Sequence, residues 1–168
     1  MVARRQLPLA AQDADGLDAA LRELDIAVAL TEDNEARYLT DTEFRETMEG
    51  WDFDFERLDL RDTRARVYGS ADRYDEALLI LGDVPERMAE RGAEMQALNS
   101  RLLRARLLFG ATRVDDGIAQ LEHIISVLHT WDDAQATITD MAGVGARALL
   151  AAGREAEADA FWERHASR

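Results

Sequence analysis

Residues 73–84 read RYDEALLILGDV, and their spacing sets the fold class. Tyr74, Ala77, Leu78, Leu81 and Val84 stand at i, i+3, i+4, i+7 and i+10, one apolar stripe along a helix. Ala65 and Tyr68 supply the matching face of a preceding helix, with Gly69 to Asp72 as the turn. Forty residues on, Val114, Gly117, Ile118, Leu121 and Ile124 repeat the stripe. After forty-one more come Ala158, Phe161 and Trp162, with Gly153 at the turn. An apolar stripe that recurs with a small residue at a fixed place predicts helical hairpins stacked closely side by side.

Toward the N-terminus, Leu17, Leu21, Leu24 and Val28 predict a helix over about residues 15–30, ended by the polar run Thr31 to Asn34. Residues 1–12 read as a loose arm. Thr40 or Asp41 is expected to cap a short helix through Met48, with Glu43 three residues after Thr40 as in a capping box. Residues 50–60 then read GWDFDFERLDL. Trp51, Phe53 and Phe55 alternate with Asp52 and Asp54. That spacing predicts an extended connector with its rings laid on the helical body, running into a helix near Asp59.

Toward the C-terminus, Asp83 is expected to cap a new helix with Pro85 in its first turn, and Gly92 to end it. Met95, Leu98, Leu102, Ala105 and Leu108 mark a helix ending near Gly110, with Arg113 to Leu128 as its partner. His129, Trp131 and Asp132 form the next corner, and Asp132 or Asp133 is expected to cap the helix that follows. Ile138, Met141, Gly145 and Leu149 line that helix, and Glu155 to His165 closes the series. Gly143 and Gly145 lie among alanines, as close helix packing requires. The expected organisation is an N-terminal helical segment with an acidic, aromatic connector over 1–60 and helical hairpins over 61–166, in one continuous domain.

The 168 residues suffice for a core without staples. The chain has no cysteine, which excludes disulfides, thiol catalysis and cysteine-ligated metals, and three histidines leave little for an imidazole site. All 20 basic residues are arginine, set against 34 acidic ones, for a net charge of −14. Such a balance argues against a nucleic-acid partner and suits a basic one. No run approaches a membrane span. Pro8 and the acidic residues from Asp13 cut short the apolar stretch that follows Arg4 and Arg5, so no export signal is read and a cytoplasmic location is expected.

Residues 41–62 hold nine acidic side chains against three arginines, the most acidic part of the chain. Asp52, Asp54 and Glu56 would share a face of an extended segment, where carboxylates can do acid–base work or hold a hard cation. The preferred reading is a solvated acidic connector. Binding candidates are the rings of Trp51, Phe53 and Phe55, and the polar side chains of Arg64, Asn99, Arg101, Arg104 and Arg106 on the first helices of hairpins. An arginine pair there could grip a carboxylate or an acidic peptide. No residue is assigned a catalytic, cofactor-binding or metal-binding role.

The order aromatic, small, large apolar, small or apolar in Tyr74, Ala77, Leu81 and Val84, with Ala65 and Tyr68 in the helix before, resembles the tetratricopeptide repeat superfamily in its looser, longer-helix form. Val114, Gly117, Leu121 and Ile124 match by residue class, and Gly153, Ala158 and Trp162 fall at comparable places. The resemblance covers about residues 61–166; an ordinary helical bundle has the same periodicity. It implies an all-α fold of antiparallel hairpins in a short right-handed array of seven or eight helices. It also implies a non-catalytic scaffold for a protein, a peptide or a second copy of itself, without cofactors. The alternatives are a sensory or regulatory piece of a larger bacterial regulator, and a helical enzyme or metal-binding protein using Asp52, Asp54 and Glu56.

Overall fold

A computed structural model describes residues 14–166, so the expected N-terminal arm lies outside the described residues. These form nine α-helices and no strand. They fall into two compact units, one ending at Gly92 and the other beginning at Ala93.

The first unit contains α1 (Ala14–Thr40), α2 (Thr42–Thr47), α3 (Phe53–Ser70), α4 (Tyr74–Leu81) and α5 (Val84–Glu90). Helix α1 runs ten residues beyond the expected stop at Leu30. Thr31 explains the continuation: its side chain is buried and its hydroxyl donates back to the Ala27 carbonyl at 3.0 Å, so a residue read as a breaker stays within the ladder. Of the two candidate caps for α2, Asp41 serves, accepting from the Phe44 amide at 3.1 Å. Thr40 instead closes α1, bonding to the Ala36 carbonyl. The Arg45 guanidinium turns back and donates to the Tyr38 and Leu39 carbonyls, satisfying acceptors at the end of α1 that no amide reaches. Leu17, Ala20 and Leu24 of α1 pack with Val67 of α3.

The extended connector at residues 51–55 is corrected. Asp52 is the N-cap of α3, accepting from the Phe55 amide at 2.9 Å, so Phe53 and Phe55 already lie in the helix. An aspartate that can accept from the amide three residues on is an N-cap signal as much as part of a strand alternation, and the hydrogen bond decides. Farther on, α5 has Pro85 in its first turn as expected, but the Asp83 side chain makes no cap bond. It pairs instead with Arg61 of α3 at 3.0 Å, while Arg61 Nε donates to the Ile80 carbonyl at 3.2 Å. Proline cannot donate to the preceding turn, and Arg61 serves a carbonyl near the break.

The second unit contains α6 (Glu94–Gly110), α7 (Val114–Leu128), α8 (Gln135–Ala151) and α9 (Glu155–Ala166). Helix α6 packs on α7, α7 on α8, and α8 on α9. The core gathers Ala105, Leu121, Ile124, Ile125, Ile138, Met141, Leu149 and Phe161. Phe161 is buried, whereas Trp162, read as part of the same stripe, is 42% exposed. Helix α8 also departs from expectation at its start: its N-cap is Ala134, and neither Asp132 nor Asp133 caps it.

Three turns share one geometry. Asp72, Thr112 and Gly153 have φ of 58°, 59° and 73°. The following amides of Arg73, Arg113 and Arg154 donate to the carbonyls of Tyr68, Leu108 and Leu149 at 3.0, 2.8 and 2.9 Å. This 6→1 closure with a left-handed residue is the Schellman arrangement, here recurring after forty and forty-one residues. The pattern of buried, half-buried and exposed positions over 71–90 returns over 111–130 with a single change, at Ser126 in place of Glu86. Packed helices of this kind are consistent with a helical-repeat type of architecture.

Close approach of the helices rests on small residues. A Cβ on Gly145 would stand 2.4 Å from the Phe161 ring, and one on Gly117 would stand 2.3 Å from the Phe109 ring. Gly145→Ala gains about 0.5–1 kcal/mol of helix propensity. It also forces a buried ring to move, at about 1–3 kcal/mol. The expected result is net destabilisation, read as a lower Tm by calorimetry. Phe161→Leu in the same background is expected to recover part of the loss, because the two effects share one contact.

Candidate functional site

The residues singled out in the sequence separate into an ion-pair clasp and two grooves. The clasp involves Asp52 and Asp54. Arg91, the residue after α5, donates to Asp52 Oδ2 at 2.6 Å and to Asp54 Oδ2 at 2.8 Å, and Arg57 donates to Asp54 Oδ1 at 3.1 Å. Arg57 also pairs with Glu35 of α1. The helical start at Phe53 removes the i, i+2 alignment that would have gathered Asp52, Asp54 and Glu56 on one face. No group of three metal-capable side chains occurs among the described residues. The Asp52 carboxyl is held below the ordinary carboxylate range, first by the Phe55 amide and then by Arg91, against an opposing push from burial. A general acid at neutral pH requires the reverse shift.

The three rings do not act together. Phe53 is buried and meets Tyr38 of α1 edge-on, with ring centroids 5.6 Å apart. Phe55 is half-buried, and Trp51 is 45% exposed.

The first groove, of about 460 Å³, lies in the first unit between α1, α3 and α4. Arg57, Arg61 and Arg64 stand along α3 at i, i+4 and i+7 and line it together with Leu60, Val28 and Leu79. Leu79 is 82% exposed, an apolar residue outside the buried stripe of its own helix. Of the expected binding residues only Arg64 is here, and its guanidinium pairs with Asp25. Leu79 escaped the sequence reading, although its position off the Tyr74–Ala77–Leu81 stripe is the mark of an outward apolar side chain.

The second groove, of about 300 Å³, lies in the second unit and has Asn99 on its wall. Arg101 and Arg104, three apart on α6, are half-buried, whereas Arg106 is exposed and lies around the helix from them. Neither groove has Arg101, Arg104 or Arg106 in its lining. The sequence reading also missed a recurring arginine. Arg73, Arg113 and Arg154 follow the left-handed residue of each shared turn and pair with Glu76, Asp116 and Glu157 three residues on. The signal was present as alanine, a variable residue, then arginine at 71–73, 111–113 and 152–154.

The fold is that of an all-α protein of packed helices, none of them, among the described residues, long and apolar enough to cross a membrane. No protein-family model, curated protein or solved structure matches the chain.

Asp52, Glu76, Asp83 and Glu157 are all held below their ordinary values, the first chiefly by a backbone amide and the others by arginine. A carboxyl with a depressed folded-state pKa contributes stability above its unfolded pKa of about 4, and loses it as pH falls through the folded value. Urea melts are therefore expected to show stability falling as pH drops below about 4. Carboxyl-detected NMR titration is expected to place Asp52 below the ordinary value. In Arg91→Ala it rises only partway back, because the Phe55 amide remains. For the rings, Phe53→Ala is expected to cost about 3–5 kcal/mol, while Trp51→Ala stays within about 0.5 kcal/mol, both read by chemical denaturation.

Proposed function

We propose that this chain is a non-catalytic, tetratricopeptide-like scaffold in the cytoplasm that binds a protein segment or a second copy of itself. In this reading α3–α4, α6–α7 and α8–α9 are antiparallel hairpins of a short array. The observation that carries it is the first groove, where an outward leucine at Leu79 stands beside three arginines on one ridge of α3. Apolar contact with adjacent guanidinium groups suits a protein segment bearing apolar and carboxylate side chains. Arg57, Arg61 and Arg64 each already hold a carboxylate of the chain, so an incoming acid would share or exchange these partners. Support for a non-catalytic role comes from Asp52 and Asp54, whose oxygens are occupied by Arg91, Arg57 and the Phe55 amide.

Labelled protein applied to an array of short peptides of varied composition is expected to be retained by a restricted subset. Leu79→Glu combined with Arg64→Glu is expected to weaken that retention by roughly tenfold or more. Light scattering over a concentration series reads self-association on the same variants. No selective retention, together with a monomer at every concentration, overturns the proposal.

A further inference from the structure

The second groove departs from the regular pattern of the fold. The turns at 71–73, 111–113 and 152–154 take three residues between helices, whereas the turn from α7 to α8 takes six, 129–134. The longer turn places Trp131, Asp132 and Asp133 along one edge of the groove, with Met95 and Asn99 of α6 also in its lining. Extra residues in the turns of helical arrays gather where such proteins make contacts. Deeper in, the wall is apolar. Met95 is 55% exposed, an unbranched side chain that adapts its shape to a neighbour.

The charges are one-sided. Two carboxylates line the groove and no cationic side chain does. Elsewhere arginines meet exposed acids: Arg154 meets Asp115, Arg113 meets Asp116, and Arg164 meets Glu122. Asp133 is held in place by its turn at φ of 62°, a conformation that aspartate tolerates better than most residues.

We propose that this groove receives an arginine side chain from a basic segment of a partner protein. The groove is at the small end of ligand sites, which suits a side chain and its neighbours. The aliphatic stem of an arginine lies against Leu98, Leu102 and Met95. Its guanidinium reaches the rim, where Trp131 offers a ring face and Asp132 or Asp133 a carboxylate. The net charge of −14 steers such a partner toward the chain. This inference adds a second site to the scaffold reading, and rests on it only in taking the ligand to be a protein segment.

The test uses a labelled peptide of arginine and serine around one central leucine, with glutamine and glutamate versions, titrated by fluorescence anisotropy against the full chain. The arginine peptide is expected to bind roughly tenfold or more tighter than the glutamine one, and the glutamate one not to bind. Asp132→Asn with Asp133→Asn is expected to weaken binding of the arginine peptide by roughly tenfold, as is Trp131→Leu. Asparagine keeps both the shape and the tolerance of positive φ, so circular dichroism and Tm are expected to match wild type. The control for diffuse attraction is Asp18→Asn with Glu23→Asn, two exposed acids of α1. Equal weakening in this control overturns the proposal, as does binding of arginine amide alone as tightly as the peptide. Loss of all arginine-peptide binding while other array peptides are still retained overturns it too, and leaves the scaffold reading standing.

Discussion

A residue held at positive φ closes one helix and aims the next, and the rest of this fold depends on that constraint. It occurs at Asp72, Gly92, Thr112 and Gly153, each the middle residue of a three-residue turn. At three of these points the following amide reaches back five residues, so two otherwise unserved carbonyl groups of the ending helix are satisfied by the turn itself. The residue that makes this bond is arginine each time, and it then serves as N-cap of the next helix at Arg73 and Arg113. Its side chain cannot accept from the first-turn amides. It holds instead the acid three residues on, whose negative charge suits the helix start. Within each unit the shared closure starts the next helix at the same point after the one before, at 71–73, 111–113 and 152–154.

Within that frame, small residues set how near the helices come. Gly117 faces Phe109, and Gly145 faces Phe161; each glycine leaves room for a ring that a methyl group would displace. Ala65, Ala77 and Ala105 are fully buried, filling comparable sites with the least volume. Such contacts gain from dense packing and leave little tolerance for added volume. The departures from regularity are therefore informative. Pro85 splits what is a single helix forty residues later, and Arg61 serves the break. The long turn at 129–134 opens a groove with an acidic edge.

Charge is distributed with similar economy. Several of the arginines hold carboxylates from other helices: Arg57 reaches Glu35, Arg64 reaches Asp25, and Arg154 reaches Asp115. These pairs are substantially exposed, so each contributes little to stability singly. Their main effect is to fix which acids remain available to a partner. Asp52 and Asp54 are paired with Arg91, and Asp54 with Arg57 as well. Asp132 and Asp133 border open apolar space.

By itself the sequence determined the all-α class and the position of nearly every helix after Arg61. Periodicity and turn residues are local properties, and in Tyr74–Val84, Val114–Ile124 and Ile138–Leu149 they agree with burial. It also carried the 40-residue recurrence, although the arginine of each turn was legible only as a repeated triplet. Tertiary structure decided what local pattern left open. Thr31 could end α1 or extend it, and its burial with a back-bonded hydroxyl extends it. The alternation of Trp51, Phe53 and Phe55 fits a strand, yet the Asp52 cap and the docking of Phe53 on Tyr38 make a helix start. The pairing of Asp52 and Asp54 with Arg91 was not legible either, because Arg91 lies 39 and 37 residues away in the chain and no spacing rule connects them. The grooves belong to the same category: Leu79 and Arg64, or Trp131 and Met95, become neighbours of one space only when separate helices pack, because a cavity is a property of what the chain leaves unfilled.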